Sequence, residues 1–273
     1  MKDIETAVRT RYGAASQKKE EALCCPVEYD PPYLKILPAE IIERDYGCGD
    51  PSRFVRAGET VLDLGSGGGK ICYIASQIVG EKGRVIGVDA NREMLALANK
   101  YLDEIAKKIG FANTEFRYGK IQDLRLNLSL VDEYLNDKPI KTANDFFNYE
   151  SFTENIKREK PLVADDSVDV ILSNCVLNLV KPEDKEQMFA EMFRVLKKGA
   201  RTAVCDNTFQ IYNREPYAKD IIRVEPIESV ELENAKEFDC KRTAKRSPRE
   251  TKGLEYDLTD LSGETCGEGG NCC

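Results

Sequence analysis

Two carboxylates and a run of glycines are the residues in this chain most able to do chemistry. Residues 61–69 read Val-Leu-Asp-Leu-Gly-Ser-Gly-Gly-Gly, and Asp89 closes the next apolar run, Val85-Ile86-Gly87-Val88. Glycine has no Cβ, so a loop carrying Gly65 and Gly67 lets backbone come close to a ligand. A carboxylate such as Asp89, ending the second strand about 20 residues on, can accept both hydroxyls of a ribose. Together these features predict a nucleoside-containing cofactor at the carboxyl ends of parallel strands.

The spacing discriminates between cofactors. A dinucleotide fingerprint wants G-x-G-x-x-G, and Gly65 and Gly67 fit, but Lys70 stands in the third glycine position. A phosphate loop wants G-x-x-x-x-G-K-[ST], which this segment misses in both spacing and the final hydroxyl. The pattern D-x-G-x-G suits S-adenosylmethionine better, because that ligand carries an ammonium group for Asp63 to face, directly or through water. The bland alternative is a glycine turn in an ordinary α/β domain.

The ten cysteines are the second unusual feature: Cys24, Cys25, Cys48, Cys72, Cys175, Cys205, Cys240, Cys266, Cys272 and Cys273. In a cytoplasmic protein they are expected to be reduced, so a disulfide scaffold is not the default expectation. The vicinal pairs Cys24-Cys25 and Cys272-Cys273 favour a soft ion, since thiolates select soft ligands. No paired CxxC spacing signals structural zinc. Any one cysteine alone reads as a small buried hydrophobe, Cys72 in particular.

The elements that must position these groups follow from the apolar pattern. Residues 1–22 are polar with helical propensity, prolines at 26, 31 and 32 break the chain, and a short helix spans 40–44. Strand 61–64, helix 68–79, strand 84–88, helix 91–109 and strand 114–118 then alternate, with Asn91 as N-cap and Gly110 as terminator of the long helix. A polar stretch, 124–164, precedes strand 168–173, helix 185–196 and strand 201–205. Such alternation predicts an α/β fold, a doubly wound, mostly parallel sheet of the Rossmann-like class. The expected divisions are an N-terminal cap with a cysteine loop (1–52), a cofactor-binding domain (53–206) with an insertion at 125–163, and a C-terminal extension (207–273). The insertion is either a solvated helical excursion or a lid over the carboxyl edge.

Composition bounds the partners. At 273 residues the chain can bury a full α/β core. With 32% charged residues and a net charge of −8, a nucleic-acid partner is not expected. No apolar run reaches the roughly 20 residues of a membrane helix, so no membrane association is expected. The start, Met1-Lys2-Asp3-Ile4-Glu5, lacks a signal-peptide core; the expected location is the cytoplasm.

Asp63-Leu-Gly-Ser-Gly, Cys72-Tyr73 and Ser173-Asn-Cys-Val-Leu-Asn-Leu179, with the upstream Cys24-Cys25 and Tyr46-Gly-Cys-Gly49, resemble the arsenite methyltransferase family. The resemblance covers roughly residues 5–205. It implies a class I methyltransferase that transfers a methyl group from S-adenosylmethionine to arsenite, for arsenic detoxification. It further implies that Cys48 and Cys175 hold trivalent arsenic, and that Cys25, or its neighbour Cys24, exchanges as a thiol or disulfide partner. Asp63, Gly65, Ser66 and Gly67 would line the methionine part of the cofactor, and Asp89 its ribose. Ile121 and Gln122 would flank adenine, with Gln122 where an acidic residue is usual. Tyr46 would lie close to the sulfonium, and Asn174 belongs to the same cofactor set. A thiol reductant, glutathione or thioredoxin-like, is the implied redox partner.

One departure stands out. The family continues after the fifth strand with a segment carrying another arsenic-binding cysteine, and here that segment is missing. The sheet is accordingly expected to have fewer C-terminal strands, and arsenic to lose one ligand. Cys205 could replace it only if the local fold brought it round, which the sequence gives no reason to expect; the thiols at 266, 272 and 273 are the other source. Two alternative readings are a methyltransferase for another small molecule, and a non-catalytic relative that binds soft metals or metalloids.

Overall fold

The computed structural model describes residues 4–18, 29–205, 209–212 and 223–226. Strands β1 (Thr60–Leu64), β2 (Arg84–Asp89), β3 (Thr114–Tyr118), β4 (Val168–Asn174) and β5 (Leu196–Cys205) form one sheet in the order β3-β2-β1-β4-β5, all parallel. Their sequences are short apolar runs, as expected of strands covered on both faces. Val61, Val85, Val170, Leu172 and Ala203 point to one face, with the helix residues Ile71, Cys72 and Ile74 among the side chains over them. Leu62, Leu64, Ile86, Val88, Ile171 and Val204 point to the other, against Met188, Met192 and Val195. Each fully buried Leu or Ile contributes about 1.5–3 kcal/mol by leaving water.

The helices follow the sequence pattern with instructive exceptions. Helix α1 (Ile4–Gln17) precedes the short α2 (Pro31–Leu34) and α3 (Ala39–Glu43), and α4 (Lys70–Val79) follows the glycine loop. The helix expected over 91–109 forms as two, α5 (Arg92–Lys100) and α6 (Leu102–Ile109). At Tyr101 the backbone leaves helical geometry (φ −106°, ψ 2°), and its N–H is shared between the carbonyls of Ala98 and Asn99. The break accompanies a hydrogen bond from the Tyr101 hydroxyl to Glu40, which also pairs with Lys100 at 2.6 Å. Asn91 caps α5 as expected, accepting from the Met94 N–H at 3.0 Å, and Gly110 ends α6 at φ 89°. Helix α9 (Pro182–Val195) begins one turn earlier than expected because Pro182 occupies its first turn, where its missing N–H costs nothing.

The insertion folds back on itself. Helices α7 (Leu128–Asp137) and α8 (Ala143–Glu159) pack through Tyr134 stacked on Phe152, ring centroids 4.2 Å apart. Its base is closed by two backbone hydrogen bonds, Leu162 N–H to Arg125 at 3.0 Å and Val163 N–H to Leu124 at 2.8 Å. Beyond β5 the sheet continues through β6 (Phe209–Tyr212) and β7 (Arg223–Pro226), both antiparallel to their neighbours. The sequence offered no source for these two strands. Among the described residues no helix is long and apolar enough to cross a membrane.

Parallel pairing brings the site together. Leu64 is level with Val88 and with Ser173, and Asn174 is level with Cys205. The chain therefore leaves β1, β2, β4 and β5 at one edge, on both sides of the point where the strand order reverses. In open α/β sheets ligands bind there.

Candidate functional site

The glycine loop after β1 is shaped by close approach. Gly65 has φ 73°, and a Cβ there would meet the Val176 side chain at 2.6 Å. Gly67 has φ 51°, and its N–H donates to Asp89 Oδ2 at 2.8 Å. The other Asp89 oxygen accepts from the Asn91 N–H at 2.7 Å. Burial pushes the Asp89 carboxyl up from its ordinary range, and these backbone donors pull it part of the way back. Ser66 Oγ is buried and has no hydrogen-bond partner. An orphan hydroxyl beside a half-buried carboxylate fits a polar ligand with several hydroxyl and amino groups.

Lys70, in the third glycine position, is committed inside the protein. Its Nζ donates to Asp45 Oδ2 at 2.8 Å and lies 3.7 Å from the centre of the Tyr29 ring. Tyr29 in turn donates to the Gly49 carbonyl at 3.1 Å. Sequence reasoning took Lys70 only as evidence against a dinucleotide and missed this link to the cysteine loop. An uncompensated cation so close to the sheet was the available signal.

Asp63 is the penultimate residue of β1, on the α4 face, and is 2% exposed. Burial raises its carboxyl to about 7, with the charges of Asp89 and Asp45 pushing the same way and a hydrogen bond from the Cys72 thiol, at 3.2 Å, opposing them. The same burial drives the Cys72 thiol well above its usual range. Cys72 is thus the buried small side chain expected, with an added role as donor to Asp63.

Asp63, Gly65, Ser66, Gly67 and Asp89 line a cavity of about 210 Å³ with Tyr46, Ile121, Gln122, Asn174 and Cys175. All nine residues assigned to the cofactor by resemblance therefore surround one space. The Tyr46 hydroxyl donates to the Ala15 carbonyl at 2.9 Å, and Tyr12 packs edge-on to its ring; α1 so closes one side. Of the insertion, Leu128 reaches this cavity.

At the cavity rim two cysteines 127 residues apart meet. Cys48 and Cys175 are joined as a disulfide, with Cα atoms 5.9 Å apart. The two sulfurs expected as separate thiolates stand here in their oxidised form. The side chain of Asn174 ties the two segments together. Its carbonyl oxygen accepts from the N–H groups of Cys48 (2.9 Å) and Gly49 (3.1 Å), and its amide donates to the Gly49 carbonyl at 2.8 Å. That clamp sets the cysteine loop against the end of β4 at a separation a disulfide can span. Cys175 itself has φ 58°, an uncommon backbone state for a residue with a Cβ. Cys24 and Cys25, like Cys240, Cys266, Cys272 and Cys273, lie outside the described residues.

Comparison with known proteins agrees with this geometry. Models described as methyltransferase domains match residues 56–161 and 135–204, and a domain of unknown function matches 187–256. An arsenite methyltransferase from Aquipseudomonas alcaligenes is 36% identical over 210 residues, 74% of this chain and 50% of that protein. The chain is a relative of the arsenite methyltransferases. The human arsenite methyltransferase is also 36% identical, over 63% of this chain and 37% of its own length. The crystal structure of an arsenic(III) S-adenosylmethionine methyltransferase from Chlamydomonas reinhardtii is 31% identical, covering 67% of this chain and 50% of that one at a TM-score of 0.49. The chain thus spans about half the length of the first of these relatives, or less. Its sheet and flanking helices are those of the class I S-adenosylmethionine-dependent methyltransferases.

Proposed function

We propose that this chain transfers a methyl group from S-adenosylmethionine to trivalent arsenic held by Cys48 and Cys175. One observation carries the reading: a reducible cysteine pair meets at the rim of the cavity that Asp63, Ser66 and Asp89 line. A methyltransferase for an ordinary oxygen or nitrogen acceptor has no use for two thiols there.

Asp89 would take the ribose hydroxyls, Ser66 and the loop glycines the amino-acid end, Asp63 its ammonium, and Ile121 and Gln122 the adenine. Bound in that cavity, S-adenosylmethionine supplies an electrophilic methyl group on a sulfonium. Tyr46 lines the same space, where an aromatic ring favours a cation. The chain's own part is to open the disulfide, bind arsenic and hold it still. Opening takes two electrons and two protons from an external thiol reductant, which becomes a disulfide. The thiols then displace hydroxide from arsenite as water, leaving arsenic trivalent with its lone pair. Such an acceptor needs no general base, and this chain has no histidine. Asn174 fixes both cysteine-bearing segments, so the arsenic is positioned before reaction, which is where enzymes gain most from orientation.

The test is transfer of labelled methyl from S-adenosylmethionine to arsenite by the purified chain under thiol reductant. Cys48→Ser and Cys175→Ser should each abolish it while cofactor binding persists. Full activity in Cys175→Ser would sink the arsenic assignment and leave a methyltransferase for another small molecule.

A further inference from the structure

Cys205 ends β5 and is level with Asn174 in the parallel ladder. Its carbonyl accepts the Cys175 N–H at 2.7 Å. Its side chain lies on the cysteine loop: a Cβ placed on Gly49 would come within 2.7 Å of both the Cβ and the Sγ of Cys205. Gly49 directly follows Cys48, so the absence of a side chain at 49 is what admits the thiol. Cys205 is buried and stands outside the disulfide. Three cysteines from three segments therefore come together at this end of the sheet: Cys175 lines the cavity, Cys48 is bonded to it, and Cys205 packs on the glycine that follows Cys48. Cys72 is not among them; it lies beneath Asp63.

Trivalent arsenic is three-coordinate and prefers soft sulfur, and the Cys48–Cys175 pair fills two places. We propose that Cys205 supplies the third thiolate to arsenic held by Cys48 and Cys175, an inference that rests on the arsenic reading above. Among the described residues no three His, Cys, Asp or Glu side chains are placed so that together they could hold a metal ion, Cys48, Cys175 and Cys205 included. That is what the closed disulfide requires, since its two sulfurs are bonded to each other. Reduction by an external dithiol, itself oxidised to its disulfide, frees both sulfurs beside the third. Three thiols then replace the three hydroxyl groups of arsenite, each thiol proton leaving with a hydroxide, so that three waters are released with no change in the oxidation state of arsenic. The tight seating of Cys205 on Gly49 ties the third sulfur to the same loop that carries the first.

The experiment uses the full chain, reduced with a phosphine that is then removed anaerobically, and arsenite as probe. Arsenic X-ray absorption should count three sulfurs in the wild type. Cys205→Ser and Cys205→Ala should both show two sulfurs and one oxygen, with arsenite affinity down by about tenfold or more for the lost thiolate. S-adenosylmethionine binding by calorimetry checks that each variant is folded. Gly49→Ala keeps every thiol but displaces Cys205, and should lose the third sulfur too. Three sulfurs retained in both Cys205 variants would overturn the proposal while leaving the arsenic reading intact. So would loss of the third sulfur in a Cys24→Ser/Cys25→Ser double variant that leaves Cys205 in place. Arsenite binding in Cys175→Ser equal to the wild type would overturn the arsenic reading, and this proposal with it.

Discussion

Asn174 and Gly49, 125 residues apart, are joined by reciprocal hydrogen bonds: the Asn174 oxygen accepts the Gly49 N–H and its amide donates to the Gly49 carbonyl. The same oxygen takes the Cys48 N–H. A single side chain thus supplies the backbone partners that a loop at this edge would otherwise seek from water.

Asn174→Ala should loosen that loop without touching either sulfur. The backbone groups left behind cost about 1–3 kcal/mol, so the equilibrium for closing the Cys48–Cys175 disulfide against glutathione should fall by about 5- to 150-fold. Redox titration with mass-spectrometric counting of thiols measures this. A midpoint equal to that of the wild type would show that the clamp does not hold the pair together.

Asp63 is expected to link S-adenosylmethionine binding to pH. With its carboxyl at about 7 in the folded chain and near 4 in the unfolded one, the folded state holds a proton that the unfolded state has lost between those values. Asp63 therefore lowers stability as pH rises from about 4 to 7, and the effect is level above that. An ammonium placed beside it reverses the preference and expels the proton. Calorimetry of S-adenosylmethionine binding in buffers of different ionisation enthalpy should show close to one proton released at pH 6, declining towards pH 7. Asp63→Asn should show none. Equal proton release in the variant would mean that Asp63 does not face the ammonium.

Asp89 carries a simpler expectation. Asp89→Ala removes the charged acceptor and strands the Gly67 and Asn91 N–H groups that now donate to it. Binding of S-adenosylmethionine should weaken by about 1–3 kcal/mol. An unchanged affinity would remove Asp89 from the cofactor site.

What the sequence made legible was local. The β1 loop and Asp89 are recognisable because strand, glycine turn and second carboxylate follow at a spacing that only the parallel βαβ unit produces. Asn91 and Gly110 announce helix ends through their own side-chain and backbone chemistry. The Asn174 clamp was illegible because its partners lie 125 and 126 residues away and nothing near residue 174 calls for them. Cys205 was named without a reason to expect it there: its closeness to Gly49 comes from the β4–β5 register, which shows only once the sheet is assembled. The break at Tyr101 interrupts an apolar pattern that continues across it, and the partner of the Tyr101 hydroxyl, Glu40, lies far back in the chain.

The last prediction concerns the lead-in to β1. The Arg201 guanidinium forms a two-pronged pair with Glu59, at 2.7 and 2.6 Å, and also donates to the Phe54 carbonyl. Arg201 is 7% exposed, so this pair ties β5 to the segment before β1 almost out of solvent. Removing one partner leaves a buried charge without compensation, which costs about 3–5 kcal/mol, whereas replacing both with apolar groups costs far less. Arg201→Met should therefore lower denaturant stability by about that amount, and Arg201→Met with Glu59→Leu should recover much of it. The pair lies at the amino-terminal side of β1, away from the cavity, so S-adenosylmethionine affinity of the folded fraction should hold. A single variant as stable as the wild type would show that water reaches the pair and that it contributes little to joining the two strands.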